Sequence, residues 1–226
     1  MAGQLVVFSG VDGAGKSTQI QALVGRLRLS NRRPIVIWSR VGYTACINRI
    51  KRSIRQWGPK GMIPVAGPSP ERDAALSKSW TRRGWLFVAL LDLFWLYAVR
   101  VRIARWFGHT VICDRYLVDS ELDCRLNFPA ESVSEWWMWR MLKRCSPVPD
   151  ARIMLLVPVE VSRQRSAEKE EPFPDTVDRL VDRHRFYQQF IDDDRWHCLD
   201  GQLGMSELAD DIDDILSQSR DKTLAS

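Results

Sequence analysis

Eight residues near the start of the chain carry the clearest chemical pattern: Gly10-Val11-Asp12-Gly13-Ala14-Gly15-Lys16-Ser17. They fit G-x-x-x-x-G-K-S, a loop whose glycines let backbone N–H groups turn inward around a phosphate. The helix that starts at Lys16 would aim the positive end of its dipole at the same anion. Lys16 offers a mobile charge to the β- and γ-phosphates, and Ser17 a hydroxyl ligand for Mg²⁺. Gly10, Asp12, Gly13, Ala14, Gly15, Lys16, Ser17 and Thr18 are thus the expected nucleotide-binding set. A chance match in a chain this long is on the order of one in a hundred.

Two further groups could join that chemistry. Val111-Ile112-Cys113-Asp114-Arg115-Tyr116 reads as a buried strand ending in an acid. An acid there can hold the water shell of a magnesium ion, and Arg115 can point a guanidinium at a phosphate. The alternative is a strand-end acid paired with its own arginine. Residues 161–173 are rich in charge, with Arg163, Arg165, Glu168, Lys169, Glu170 and Glu171. A basic segment there could close over a triphosphate and shield it from water. A charged surface helix with i,i+4 pairs explains the same residues equally well.

These groups need a scaffold that brings strand ends together. Leu5 to Phe8, Ile35 to Trp38, Val111 to Cys113, Ile153 to Val157 and His197 to Leu199 read as strands, the first two of them buried. Helical spacing covers Thr18 to Leu29, residues 85–106, Ser134 to Arg144, Thr176 to Ile191 and Ser206 to Ser217. A helix start is also legible at Pro158-Val159-Glu160. Strands that alternate with helices predict an α/β fold of the P-loop NTPase type. Its sheet would be mostly parallel and five-stranded, flanked by helices, with a short lid. One domain over residues 1–226 is expected, with the lid near 161–175 and a Pro- and Gly-rich loop near 57–70.

Bulk composition narrows the rest. The 226 residues are 45% hydrophobic and carry a formal charge of +5, a mild excess that suits an anionic small molecule better than nucleic acid. Basic clusters at Arg49 to Arg55 and Arg100 to Arg105 read as solvated helix faces. The five cysteines are scattered with no C-x-x-C pair, which argues against a zinc site and a disulfide framework and fits a reducing cytosol. The opening MAGQLVVFSG shows no signal-peptide pattern. The apolar stretch Trp85 to Val99 is short for a membrane span and has Asp92 at its centre, so it reads as a buried core or subunit-interface helix. The ten tryptophans, several on helices, point the same way.

At its motifs the chain resembles the thymidylate kinases. The quoted segments are GVDGAGKSTQ, CDRYLVDS, LLVPVEVSRQR and CLDGQLGMSELADDI, in that order along nearly the whole chain. The resemblance implies a nucleoside monophosphate kinase fold, ATP as donor, Mg²⁺, and a homodimer in the cytoplasm. It implies a catalytic set of Lys16, Asp12, Arg115, Arg163, Arg165 and Lys169, with Ser17 and Asp114 toward the metal. Asp12 would face the acceptor sugar. Arg40, Asp92, Arg115 and Tyr116 would line the acceptor side. The three lid cations matter because Ala14 stands where some members carry a P-loop arginine. The base-reading positions depart from the family: Leu93 and Trp95 replace an arginine and a glutamine, and Asp123-Cys124 replaces a Tyr-Gln pair. A pocket that loses its polar groups loses that discrimination. Three functions remain open on these residues: a thymidylate-kinase-like enzyme, a kinase of the same fold for a different small acceptor, and an ATP-dependent switch or binding protein.

Overall fold

The structure is a computed structural model that describes residues 3–42, 44, 78–168 and 175–225. The Pro- and Gly-rich loop near 57–70, the cluster Arg49 to Arg55, Cys46 and Lys169 lie outside the described residues.

Five strands form one sheet in the order β2-β3-β1-β4-β5, and every neighbouring pair is parallel. They are β1 Leu5–Gly10, β2 Pro34–Trp38, β3 Thr110–Asp114, β4 Ala151–Leu156 and β5 His197–Asp200. β1 is central and wholly buried, as the unbroken apolar run LVVF requires of a strand covered on both faces. β2 departs from the expectation of a buried strand. It forms one edge, with Val36 and Trp38 exposed, because a terminal strand of a sheet lacks a neighbour on one side.

The helices are α1 Lys16–Leu29, α2 Ser79–Phe94, α3 Arg102–Trp106, α4 Leu117–Asn127, α5 Trp137–Cys145, α6 Val159–Glu168, α7 Val177–Gln188 and α8 Met205–Ala225. A π-helical stretch, Trp95–Val101, joins α2 to α3 without a break. The expected helix 85–106 therefore begins a turn and a half earlier. Its buried face carries Leu86, Leu90, Leu93 and Tyr97, while Phe87, Leu91 and Trp95 face outward. The wider turn presents Tyr97 inward, where its hydroxyl shares hydrogen bonds with Ser39 Oγ at 2.5 Å and Ser120 Oγ at 3.3 Å.

Helix α4 was not legible from the sequence. LVDSELDCRLN has little apolar periodicity, since its buried face is polar: Asp119, Ser120 and Asp123 all lie under 3% exposed. Antiparallel to it runs α7, and the two meet through a ladder of polar pairs at four-residue spacing. Asp119 faces Tyr187, Asp123 faces Arg183, and Asn127 faces Arg179. The basic residues 100–105 are also more than a solvated face. Arg102 donates to Cys145 O at 2.6 Å, and Arg105 reaches Gly3 O and Asp150. Cys113, Cys124, Cys145 and Cys198 are free thiols, and no helix among the described residues is long and apolar enough to cross a membrane.

Candidate active site

A parallel sheet delivers all its carboxyl ends to one edge, and ligands of open α/β sheets sit there, where strand order reverses. β1 is that point, flanked by β3 on one side and β4 on the other. β1 runs directly into the glycine-rich loop, and register pairs Phe8 with Asp114 and Gly10 with Leu155. The loop and the Asp114-Arg115 pair are thereby neighbours, although about a hundred residues separate them in the chain.

The loop has the backbone of a phosphate cradle. Gly13 has φ +75° and Gly15 φ +91°, values that a side chain would strain. Gly15 precedes α1 and no side chain caps that helix, so its first-turn N–H groups remain open toward the loop. Lys16 is buried, and its Nζ donates to Gly10 O at 2.9 Å and Val11 O at 2.7 Å. Burial and the nearby Arg115 charge bring the lysine down to about 8, against the pull of Asp12, Asp114 and Asp119. The Ser17 and Thr18 side chains are exposed at the start of α1.

Opposite the loop stands Asp114. Its Oδ1 is buried and has no hydrogen-bond partner among the described residues, and burial holds its carboxyl above the usual range despite Lys16 and Arg115. An orphaned carboxylate oxygen at the strand end paired with β1, next to the loop, suits a hard cation. Among the described residues no group of three or more His, Cys, Asp or Glu converges as a metal cage. Asp114, with the exposed Ser17 hydroxyl at the start of α1, would suit magnesium, which tolerates few protein ligands.

Arg115 is buried and adopts φ +78°, a left-handed conformation that costs a non-glycine residue about 1–2 kcal/mol. That turn brings its guanidinium back across the strand ends, where Nη2 donates to Asp12 Oδ1 and Nη1 lies 3.6 Å from Asp119 Oδ1. Nη1 has no hydrogen-bond partner. Burial pushes the Asp12 carboxyl up, but Arg115, Lys16, Arg183 and Arg40 together hold it well below the usual carboxylate range. Asp119 in turn accepts from Ser9 Oγ at 2.6 Å, Tyr187 Oη at 2.7 Å and the Tyr116 N–H at 3.0 Å.

The expected acceptor residues divide. Arg40 follows β2 and lies 3.6 Å from Asp123 Oδ2 and 3.9 Å from Asp175 Oδ1. Asp92, on the inner face of α2, accepts a hydrogen bond from Thr44 Oγ1. Tyr116 instead turns into the core: its ring packs on Tyr97 at 4.4 Å and its hydroxyl donates to Pro147 O. Its side chain thus serves packing, because the chain must turn inward there to start α4. Leu93 is fully buried and Trp95 is 59% exposed.

The expected lid cations also divide. Helix α6 leans on the loop: Ser162 Oγ donates to Asp12 O at 2.6 Å, and Arg165 Nη1 to Gly13 O at 3.3 Å and Gly201 O at 2.9 Å. Arg165 thus clamps the loop from behind, and Arg163 on the same helix is exposed. Missed by sequence reasoning were Asp119, Asp175 and Arg183, while Asp123 was named only as a departure from the family's Tyr-Gln pair. The four-residue spacing Asp119, Asp123, Asn127 against Arg179, Arg183, Tyr187 was a usable signal for them.

Together the sheet order, the loop and the strand-end acid define the P-loop NTPase fold. The chain is 28% identical to a thymidylate kinase of Thermomicrobium roseum, over 92% of this chain and 91% of that protein. It is 25% identical to a thymidylate kinase of Rhodopirellula baltica, over 93% and 78% of the two chains. A thymidylate kinase of Desulfotalea psychrophila is 29% identical over 72% of this chain and 68% of that protein. No protein-family model matches the chain. Similarity that runs most of the chain's length supports a family relationship with the thymidylate kinases.

Proposed function

We propose that the protein is an ATP-dependent kinase that moves the γ-phosphoryl group of Mg-ATP to a nucleoside monophosphate, dTMP or a related nucleotide. The observation that carries this reading is the convergence of Lys16, the orphaned Asp114 carboxylate and Arg115 at the carboxyl ends of β1 and β3. Lys16 and the open N–H groups of α1 bind the donor phosphates. Ser17 and Asp114 would hold a magnesium ion, which would supply charge neutralisation to the phosphates. Arg115 keeps Asp12 ionised and fixed, so that Asp12 can orient a hydroxyl of the acceptor. Arg40 meets the acceptor phosphate. Arg163 and Lys169 are the cations of a lid spanning about 161–175, with Arg165 anchoring the helix they leave from. Little covalent work falls to the protein, because positioning and charge neutralisation dominate phosphoryl transfer.

The whole chain acts as one domain in this reading, and two copies associate in the cytoplasm. An exposed apolar stripe supports the pairing: Trp80, Phe87, Leu91, Trp95, Ile103 and Trp106 recur along α2, the π-helical stretch and α3. Incubation with Mg-ATP and a panel of nucleoside monophosphates, with ADP and the diphosphate measured, tests the function. Acceptor-stimulated ADP formation with at least one nucleotide is expected. ADP formation only with non-nucleotide acceptors, or tight ATP binding without turnover, would replace it with one of the other two readings.

A further inference from the structure

The polar core behind the acceptor side holds an arginine with no role in the reaction above. Arg183 on α7 is 1% exposed. It donates from Nε to Asp175 Oδ2 at 2.6 Å and from Nη2 to Asp123 Oδ1 at 2.7 Å. Those are short, charge-assisted bonds. Arg40 addresses the same two carboxylates from the other side, but only at 3.6 and 3.9 Å, and neither contact is a hydrogen bond. Two arginines therefore share two aspartates unequally. Arg183 has the tight bonds, and Arg40 has the loose contacts and stays partly exposed, with a side chain 27% accessible.

The inequality has a consequence for an anion that must compete for Arg40. An aspartate pair without a counter-ion would draw Arg40 into bidentate bonds, since a buried uncompensated carboxylate is costly. Arg183 takes the short bonds and offsets one of the pair's two negative charges, so the aspartates hold Arg40 only loosely and it can turn to a phosphate. We propose that Arg183 is a positioning residue for the acceptor, acting through Asp123 and Asp175 to keep Arg40 available. This rests on the kinase reading, in which Arg40 meets the acceptor phosphate. The charges of Arg183 and Arg40 both act on Asp12, the residue that orients the acceptor in that reading.

The simple alternative is that Arg183 only fills the seam between α4 and α7. Steady-state kinetics with Mg-ATP and the best acceptor of the nucleotide panel separate the two. Arg183→Met should raise the acceptor KM by about 10- to 100-fold, the scale of a misplaced binding group, and leave the KM for ATP within about twofold. Because a lone Asp123 charge would destabilise the fold, Arg183→Met/Asp123→Asn is the companion variant. It should recover the acceptor KM to within about threefold of the wild type. Phenylglyoxal labelling of Arg40, read by peptide mass spectrometry on the full chain, needs no turnover. It should fall several-fold in Arg183→Met and return in the double variant. Equal loss in both KM values, or Arg40 labelling that is unchanged or raised in Arg183→Met, overturns the proposal. If the wild type turns over no nucleotide, the kinase reading fails separately, and the labelling still decides whether Arg183 governs Arg40.

Discussion

Alanine at two glycines of the loop separates what the backbone requires from what α6 requires. Gly15 has φ +91°, and a Cβ there meets nothing within 4 Å. Gly13 has φ +75°, and its Cβ would lie 2.8 Å from Ser162 O and 3.3 Å from Arg165 Cβ. The left-handed backbone costs an alanine about 1–2 kcal/mol at either place. Gly15→Ala should lose that much and no more. Gly13→Ala adds a collision with the backbone of α6, which cannot rotate away, and overpacking of this kind costs a further ~1–3 kcal/mol. Because Ser162 and Arg165 hold the loop through Asp12 O and Gly13 O, the collision also moves the loop. A shift of several tenths of an ångström at the phosphate cradle should lower kcat by roughly 10- to 100-fold beyond the Gly15→Ala effect. Urea unfolding and ADP release measured side by side check both magnitudes. Equal stability and equal turnover for the two variants would refute the reasoning, because α6 would then place no constraint on the loop.

Three other outcomes are expected. Lys16→Ala should leave the far-ultraviolet spectrum unchanged and reduce ATP turnover by at least about 10²-fold, the scale for removing a charge that faces the transferring group; surviving turnover would exclude the loop as the donor site. Asp114→Asn removes a half-buried carboxylate whose buried oxygen has no hydrogen bond, so the midpoint of urea unfolding should hold or rise while kcat falls and the magnesium requirement increases; a fall in the midpoint would show that the carboxylate is paired in solution. The pH dependence of ATP affinity, measured in EDTA, should follow Lys16, whose value of about 8 lies below the 10.5 of an unperturbed lysine. The phosphates need the ammonium form, so affinity should weaken above about pH 8, by no more than about tenfold per unit, with proton uptake visible by calorimetry in two buffers. The fold responds with the opposite sign: between 8 and 10.5 the unfolded chain binds the extra proton, so this group's contribution to stability rises with pH. An ATP affinity that is flat from pH 7 to 9.5 would remove Lys16 from the binding step.

The nucleotide loop could be read directly because it is a local object. Gly10 to Ser17 contains its own turn, its own positive φ values and the start of its own helix, so eight consecutive residues state the whole geometry. The strands were legible for a similar reason, as short apolar runs between breakers, and their alternation with helices implied a parallel sheet. Their order was not, and it is the order β3-β1-β4 that brings Asp114 beside the loop. Polar burial also escaped the sequence. Asp119, Asp123 and Arg183 look like surface charges until α4 and α7 pack antiparallel and pair them, and a reading by hydrophobic period cannot find a helix whose buried face is ionic. The same limit applied to Tyr116, placed by resemblance at the acceptor and found in the core. Sequence alone therefore determined the class of fold and the glycine-rich loop, because short-range backbone chemistry encodes both. Only the tertiary structure decided which charges face one another beside the loop, because ion pairs among residues 12, 40, 115, 123 and 183 depend on how distant elements pack.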